Sequence, residues 1–369
     1  MYYPPSGTYS DSYAKDMVIV RTRLQWVLLV GFLALLFAFP LSPFASEDIL
    51  RVLVHLAIII IAVHGINIVT GYCGQITLGQ AAFVLIGGYV SGIMSNEVLG
   101  PALAGTGWEW LQFWIAMPVA VIATVMLGLL FALPTARVKE LYLALVTFAA
   151  HFIILWALRW VPYMMGGRFQ SWGAAGIPLP APAIGSFVIE GGFRFYYLAM
   201  IFVIIMTLLA KGIARSGLGR AFVAIRDNDI AAEAIGINIF RYKLIAFAIC
   251  SAYAGVAGSL FGHFLGFISI ESQTFMNAVW YVGMIIVGGM GTIIGPIFGS
   301  TVIEVLHQII VRLGPQLEGL GPLKLGSGGG ILIFALGLVI VLFLIFEPRG
   351  MAHRWNIIKG QIRLWPFAY

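Results

Sequence analysis

Charged residues are scarce in this sequence. Only 10% of its 369 residues are Asp, Glu, Lys or Arg, whereas 61% are hydrophobic. A water-soluble domain of this size needs more charge than this to cover its surface. The composition therefore excludes a soluble globular protein and indicates a chain that crosses a membrane several times.

Cysteine and catalytic motifs are also nearly absent. The two cysteines, Cys73 and Cys250, lie in apolar surroundings without a CxxC or metal-type spacing, so we expect two small buried hydrophobic residues. The chain has no Walker motif, and no nucleophile–base pair or carboxylate pair at catalytic spacing stands out. The sequence thus gives no indication of an enzyme, a metal site or a cofactor bound by this chain.

Long apolar segments fill most of the chain. A helix needs about 20 apolar residues to cross a bilayer. On that criterion the sequence predicts an all-α polytopic membrane protein of about ten transmembrane helices. The third and eighth spans are short and glycine-rich, and we expect them to be broken or tilted. The predicted spans are 24–44, 49–69, 80–96, 113–133, 141–161, 195–211, 244–264, 276–290, 293–312 and 329–346.

The cations are unevenly distributed between alternate loops. If the N-terminus is inside, most of the 21 Lys and Arg residues fall on the cytoplasmic side, which predicts that both termini are cytoplasmic. We expect a flexible cytoplasmic tail at 1–20, a transmembrane domain at 21–346 and a second cytoplasmic tail at 347–369. The net charge of +6 then reflects this bias and attraction to lipid headgroups, rather than nucleic-acid binding.

A polar stretch with mixed charges, residues 211–243, separates two apolar segments. Its six cations predict a cytoplasmic location. A short helix is expected from about Asp227 to Ile235, closed by Gly236. A folded element between two spans indicates a docking surface for a soluble partner, although the same charges could form a solvated face.

The predicted outer loop at 162–194 contains proline and glycine throughout. It is too polar to lie in lipid and too short to form a domain. A lid or a contact surface for an external partner would fit this loop, and so would a plain connector.

Two glycine-rich stretches, 67–90 and 282–300, interrupt the apolar pattern at membrane depth. Irregular backbone is tolerated there only where protein or a water-filled cavity satisfies its amides, and paired interruptions often mark a transport pathway. Close helix packing at small residues is the alternative interpretation. The candidate pathway residues are Asn67, Gly71, Gly74, Gln75, Thr77, Gly79, Gln80, Gly288, Gly289 and Gly291.

Glu304 and His307 lie one turn apart within a predicted span. Ionisable groups in a bilayer are costly, so they are functional candidates by default. A polar contact between helices is the interpretation we favour over metal binding. A proton relay in an ion-coupled secondary transporter is the alternative. Further histidines are scattered over other spans, at His55, His64, His151 and His263.

Four stretches carry a resemblance to a known family. They are TGYCGQITLGQAAFVLIGGYV (70–90), GLGRAFVAIRDNDIAAEAIGINIFRYKLIAFAIC (217–250), VGGMGTIIGPIFGS (287–300) and FEPRGMA (346–352). Taken together, they resemble the branched-chain amino acid permease family of ABC importers, LivM type, whose relatives include urea permeases. Two features depart from the family pattern: Glu140 stands where glycine is usual, and the loop at 164–176 lacks the usual threonine. If that loop helps to admit the solute, the solute need not be a branched-chain amino acid.

The resemblance implies a bacterial inner-membrane subunit that forms the pathway for a branched-chain amino acid or a similar small solute, such as urea, an amide or another amino acid. It also implies a second homologous permease subunit, two ATP-binding subunits that use the ATP, and a periplasmic solute-binding protein. The stretch 211–243 would be the coupling loop that enters a cleft on the ATPase. Its matching positions are Gly219, Arg220, Ala224, Arg226, Asp227, Asn228, Ala231, Ala232, Glu233 and Gly236.

Overall fold

A computed structural model of the chain describes residues 23–43, 45–135, 140–165, 176–317, 329–347 and 349–364. Helices make up most of these ranges, and β structure is limited there to four strands of two residues each. The all-α prediction is therefore confirmed. The predicted tail at 1–20 lies outside the described residues.

The helices follow one another along the chain, and some of them continue into turns of other helix types. The helix Glu47–Ile66 continues as a π-helical turn at Asn67–Tyr72. The helix Gln80–Ile93 continues as another at Met94–Leu99 and then ends in a helical turn at Gly100–Leu103. Short 3-10 helices lie at Phe39–Leu41 and Ile270–Gln273. The α-helices are α1 (Arg23–Ala38), α2 (Glu47–Ile66), α3 (Gln80–Ile93), α4 (Leu111–Thr135), α5 (Glu140–Met165), α6 (Gly191–Arg215), α7 (Gly217–Asp227), α8 (Asp229–Ala234), α9 (Ile239–Leu265), α10 (Phe275–Gly288), α11 (Gly295–Leu317), α12 (Gly329–Phe346) and α13 (Met351–Leu364).

Six helical segments among the described residues are long and apolar enough to cross a membrane. They are Glu47–Tyr72, Gln80–Leu103, Leu111–Pro134, Tyr142–Trp160, Gly191–Arg215 and Ile239–Leu265. These coincide with the second to seventh predicted spans, and the shorter apolar helix Trp26–Leu41 lies at the first. Helices α10, α11 and α12 lie at the last three predicted positions, but the count of ten spans stays a prediction.

The structure changes the description of one predicted span. The third span was expected to be short and either broken or tilted, yet it runs without a break from Gln80 to Leu103 because a π-helical turn prolongs α3. The interruption lies before this helix, at 73–79, and a second one separates α10 from α11 at 289–294. The predicted C-terminal tail contains α13, where Trp355 contacts Phe298 of α11.

Three helices form the centre of the bundle. Most residues of α2, α3 and α9 are buried, whereas fewer than a third are buried in the apolar windows of α4, α5 and α6. The outer helices leave large apolar side chains such as Leu130, Phe152 and Ile205 exposed. Such a distribution suits a bundle whose periphery faces lipid.

Glycines allow the backbones of α3 and α9 to touch. A Cβ on Gly87 would lie 2.8 Å from the Cα of Gly255, and a Cβ on Gly258 would overlap the carbonyl oxygen of Val84. This arrangement is the small-residue packing known from membrane helices. Packing, the alternative interpretation of the glycine-rich stretches, therefore accounts for Gly87.

Short strands close one end of the bundle, which we call the hairpin end. Here β1 (Ile177–Pro178) pairs with β4 (Phe267–Ile268), and β2 (Ala183–Ile184) pairs with β3 (Phe187–Val188), both antiparallel. Nδ1 of His263, near the end of α9, lies 2.7 Å from the carbonyl oxygen of Pro180. The described part of the predicted outer loop is thus held against the bundle.

Helices extend into both ends of that predicted loop. Helix α5 continues to Met165 and α6 begins at Gly191, so both helices extend into the range 162–194. The residues between them include 166–175, which lie outside the described part of the chain.

Candidate functional site

The mixed-charge stretch folds into two short helices, α7 and α8. Ser216 caps α7 by accepting a hydrogen bond from the amide of Leu218, and Asn228 caps α8 by accepting one from Ala231. Gly236, with φ of 88°, follows the end of α8. The predicted helix near 227–235 is therefore confirmed, although it begins at Asp229, and α7 comes in addition to it.

Apolar residues at helical spacing would have revealed α7. Phe222 and Ile225 are buried, as is Ala221, and the ring of Phe222 contacts that of Tyr242 on α9 at 6.3 Å between centroids. The opposite face is polar. This 3.6-residue periodicity over 218–225 is typical of a helix that packs along one face, and it fixes α7 to the bundle.

The residues predicted to couple to the ATPase divide by exposure. Gly219 and Ala232 are buried and belong to the packed base of α7 and α8. The exposed ones are Arg220, Arg226, Asp227, Asn228, Glu233 and Gly236. Two large apolar side chains lie among them, because Ile230 and Ile235 are 78% and 74% exposed.

Arg226 connects α7 to the end of α2. Its Nη1 donates a hydrogen bond to the carbonyl oxygen of Gly71 at 3.0 Å. Its Nε and Nη2 donate to Oδ1 of Asp227 at 3.0 and 2.9 Å. Asp227 thereby holds the guanidinium in the orientation that reaches Gly71.

Asn67 connects the same end of α2 to the turn between α10 and α11. Its Oδ1 accepts a hydrogen bond from the amide of Gly291 at 2.9 Å, and its Nδ2 donates to the carbonyl oxygen of Thr292 at 2.7 Å. Thr292 in turn bonds to the Gly289 carbonyl and caps the start of α11 at Gly295. One side chain therefore fixes the position of the 289–294 turn.

Two glycines with left-handed backbone allow these segments to meet. Gly291 has φ of 73°, and a Cβ there would lie 2.9 Å from both Arg226 Nη1 and the Gly71 carbonyl oxygen. Gly74 also has φ of 73°, and its Cβ would lie 2.8 Å from Cγ of Arg226. We call the cluster of Asn67, Gly71, Gly74, Arg226 and Gly291 the junction. It unites one predicted coupling residue with four predicted pathway residues.

The other predicted pathway residues are not members of the junction. Gln80 is buried, donating to the Ala62 carbonyl and accepting from the Cys250 thiol. Gly79 packs against Thr147 of α5, and Gly288 packs against Gly295 next to the junction. Gln75 and Thr77 are buried in the segment before α3.

Both cysteines are free and buried, as expected.

Two cavities lie nearer the hairpin end. The larger, about 410 Å³, lies beside the hairpin and is lined in part by Arg51, Glu190 and His263. The smaller, about 70 Å³, lies between α2, α9, α10 and α11, and we call it the Glu304 cavity. None of the predicted pathway residues lines either cavity. The polar residues that line the Glu304 cavity include His55, Ser272, Gln273, Asn277, Tyr281, Glu304 and His307.

The histidine that forms a hydrogen bond with Glu304 is distant from it in sequence. The Glu304 side chain is only 4% exposed, and its Oε1 lies 3.3 Å from Nδ1 of His55. Because a carboxylate can only accept, His55 donates this bond. Gln308 donates a second bond to the same oxygen at 3.0 Å. The neighbour expected from the sequence, His307, packs instead against the ring of Trp280.

Comparison with known proteins places these features in a family. Residues 48–346 match the family model described as branched-chain amino acid transport system / permease component. The high-affinity branched-chain amino acid transport system permease protein LivM of Escherichia coli K12 is 28% identical over 351 residues, which cover 89% of this chain and 75% of that protein.

More distant relatives are also similar. The probable branched-chain amino acid transport permease protein LivM of Methanocaldococcus jannaschii is 24% identical over 334 residues, covering 81% of this chain and 91% of that protein. The autoinducer 2 import system permease protein LsrC of Escherichia coli is 27% identical over 211 residues, covering 54% of this chain and 57% of that protein. No solved structure matches the chain.

Proposed function

This chain belongs to the branched-chain amino acid transport permease family, and from that premise we propose that it forms the translocation pathway of an ATP-driven importer. Members of the family are ABC transporter permeases of the inner membrane, so the chain is a multi-pass transport subunit and not an enzyme. The solute and the coupling to an ATPase are the parts that we propose here.

We propose that the solute is a branched-chain amino acid or a similar small molecule, such as another amino acid, an amide or urea. The LivM relatives, which match most of this chain, support the first of these. The LsrC relative belongs to an autoinducer 2 import system, which shows that related permeases serve other solutes.

The proposed topology has about ten spans, with both termini and the junction on the cytoplasmic side. The mixed-charge stretch 211–243, which contains α7 and α8, carries Arg215, Arg220, Arg226 and Arg241, in agreement with the positive-inside rule. The hairpin end, with the larger cavity, would then face the periplasm and the solute-binding protein.

Coupling is proposed to occur through α7 and α8, and the observation that carries this proposal is the exposure of Ile230 and Ile235. Large apolar side chains on a polar, water-facing segment mark an interaction surface, especially when charged groups surround them. Asp229 and Glu233 are the charged neighbours on α8. An ATPase cleft that buries both isoleucines would gain apolar contact from a firmly anchored protrusion.

The junction gives this protrusion a route into the membrane domain. Arg226 bonds to the end of α2, and Asn67 bonds to the turn that begins α11. A rigid-body displacement of α7 and α8 would therefore move α2 and α11, as a mechanism of alternating access requires. The two breaks at 73–79 and 289–294 stay our candidates for the cytoplasmic part of the pathway.

Four kinds of partner follow from this proposal. They are a second homologous permease subunit, two ATP-binding subunits, a periplasmic solute-binding protein and the lipid bilayer. ATP would be bound and hydrolysed by the partner subunits, and no nucleic acid is involved.

Reconstitution in proteoliposomes would test the proposal. We expect uptake of L-leucine or urea that requires the ATP-binding subunits, ATP and the solute-binding protein together. Uptake by this chain alone, driven by an ion gradient without ATP, would instead support a secondary transporter that uses Glu304 and its histidines as a relay.

A further inference from the structure

We infer that the Glu304 cavity binds the protonated amine of the solute, with the Glu304 carboxylate as counter-ion. This inference rests on the proposed transport function and narrows the solute class to molecules with an ammonium group, such as α-amino acids. Neutral molecules such as urea or simple amides would not use this site.

The Glu304 carboxylate has one oxygen available for a ligand. Both of its hydrogen bonds, from His55 and Gln308, end on Oε1. Within the described part of the chain, no group donates a hydrogen bond to Oε2. A carboxylate buried at membrane depth is costly unless it is paired and fully hydrogen-bonded. An ammonium group supplies both the opposite charge and several donors.

Among the other polar groups of the cavity wall, Nδ1 of His307 has no hydrogen-bond partner in the described part of the chain, whereas the amide and hydroxyl side chains are paired. The hydroxyl of Tyr281 donates to Oε1 of Gln273 at 3.1 Å, and Nδ2 of Asn277 donates to the carbonyl oxygen of Ser272. These pairs leave Glu304 as the one anionic acceptor among the described residues that line the cavity. A ligand with positive charge and several donors is therefore favoured over a neutral one.

Aromatic rings add to the preference for a cation. Phe261, Trp280 and Tyr281 all line the cavity. The faces of such rings attract an ammonium group, and this attraction is strongest where water is excluded. The same rings give little reason for a solute carboxylate to bind here, which places the amine end of an amino acid in this cavity and its carboxylate outside it.

The volume of the cavity fits a head group and not a whole large ligand. At about 70 Å³ it is much smaller than the roughly 300–1,000 Å³ of pockets that enclose drug-sized ligands.

The cavity is also connected to the junction through two helices, because His55 and Asn67 lie on one helical segment and Glu304 lies on α11. A displacement at the junction would change the distance between His55 and Glu304.

Two other interpretations of the cluster make different predictions. A metal site is not supported, because no group of three His, Cys, Asp or Glu side chains in the described residues could hold a metal ion. A purely structural contact between α2 and α11 needs only an acceptor for His55 and a neighbour for Gln308. Glutamine at position 304 would provide both, so Glu304→Gln separates a structural role from ion pairing with a solute.

The first test measures uptake of L-leucine and of urea by the reconstituted importer. For Glu304→Gln we expect L-leucine uptake to fall by roughly tenfold or more, as loss of a charged hydrogen bond implies, while ATPase activity stimulated by the binding protein persists. Glu304→Asp should keep a substantial part of the uptake. Glu109→Gln, which removes an exposed carboxylate that does not line the cavity, should behave like the wild type.

The outcomes distinguish a failure of the proposed transport function from a failure of the proposed ammonium site alone. Absence of ATP-dependent uptake of both probes by the wild type would overturn the proposed function and the inference with it. ATP-dependent L-leucine uptake that Glu304→Gln leaves unchanged would overturn the inference alone. So would ATP-dependent uptake of urea without any uptake of L-leucine.

A second test measures ligand binding directly and does not require transport activity of any variant. The purified wild-type permease in detergent is heated with isobutylamine or with isobutanol, two probes of the same shape of which only the first is cationic. We expect isobutylamine to raise the Tm more than isobutanol at equal concentration, and the difference to vanish in Glu304→Gln. Equal shifts with both probes would contradict an ammonium site.

Discussion

The guanidinium of Arg226 donates a hydrogen bond to the carbonyl oxygen of Gly71, 3.0 Å away and 155 residues earlier in the chain. Arg226 was predicted from its motif to contact the ATPase, and Gly71 was predicted from its glycine-rich stretch to lie on the pathway. The hydrogen bond joins these two predicted regions directly. We therefore expect the junction to transmit motion between them.

Replacing Arg226 with Gln should uncouple the importer. The variant loses the charged hydrogen bond to Gly71 and the ion pair with Asp227. A hydrogen bond to a charged group is worth about 1.5–3 kcal/mol. We expect basal ATPase activity to remain and its stimulation by the loaded binding protein to fall severalfold, together with uptake. The measurement is ATPase activity and uptake in the same proteoliposomes.

Arg241→Gln provides the matched control, since Arg241 is an exposed arginine at the start of α9 outside the junction. It should leave stimulation near the wild-type level. If the loaded binding protein stimulated ATPase activity as strongly with Arg226→Gln as with this control, the junction would have no part in coupling.

Replacing both Ile230 and Ile235 with Ser should weaken the complex with the ATPase. Both side chains are more than 70% exposed, so the fold of the subunit should not change. Burying an isoleucine in an interface is worth about 1.5–3 kcal/mol, and the double variant should raise the Kd for the ATP-binding subunit at least tenfold. Affinity of the detergent-purified permease for the purified ATPase provides the measurement.

Ile184→Ser is the control, because Ile184 is another exposed isoleucine but lies at the hairpin end. The proposed docking surface would be wrong if both variants bound the ATPase with wild-type affinity.

Features that depend on nearby residues could be predicted from the sequence. Apolar runs located the helices, and the glycine at 236 marked the end of α8. The contacts that define the candidate sites depend on residues far apart in the chain. Glu304 was considered together with His307, one turn away, yet it bonds to His55, 249 residues distant. Neither this pair nor the Asn67–Gly291 bond leaves any periodic signal in the sequence.

The third prediction concerns Gly291→Ala. The left-handed backbone at this glycine costs an alanine about 1–2 kcal/mol, and the new Cβ would press on Arg226 Nη1 and the Gly71 carbonyl. We expect stimulation of ATPase activity and uptake to fall as in Arg226→Gln while the subunit still assembles. The effects of the two substitutions should be less than additive in the double variant, because both disturb one contact.

Gly212→Ala serves as its control, since a Cβ at Gly212 meets nothing within 4 Å. Fully additive effects of Gly291→Ala and Arg226→Gln would show that the two residues act separately.

The last prediction concerns the contact between α3 and α9, which we expect to affect the stability of the subunit rather than its coupling to the ATPase. Within a helix, alanine is ordinarily favoured over glycine by about 1 kcal/mol. At Gly258, however, the added Cβ would overlap the carbonyl oxygen of Val84. Relieving this overlap would push α3 and α9 apart, and the close contact between Gly87 and Gly255 would be lost as well. Overpacking of this kind costs about 1–3 kcal/mol. Gly258→Ala should therefore lower the Tm of the detergent-purified subunit, whereas Gly31→Ala on α1, where nothing lies within 4 Å of the new Cβ, should leave it unchanged or higher. A Tm for Gly258→Ala equal to that of the control would mean that α3 and α9 are not in backbone contact.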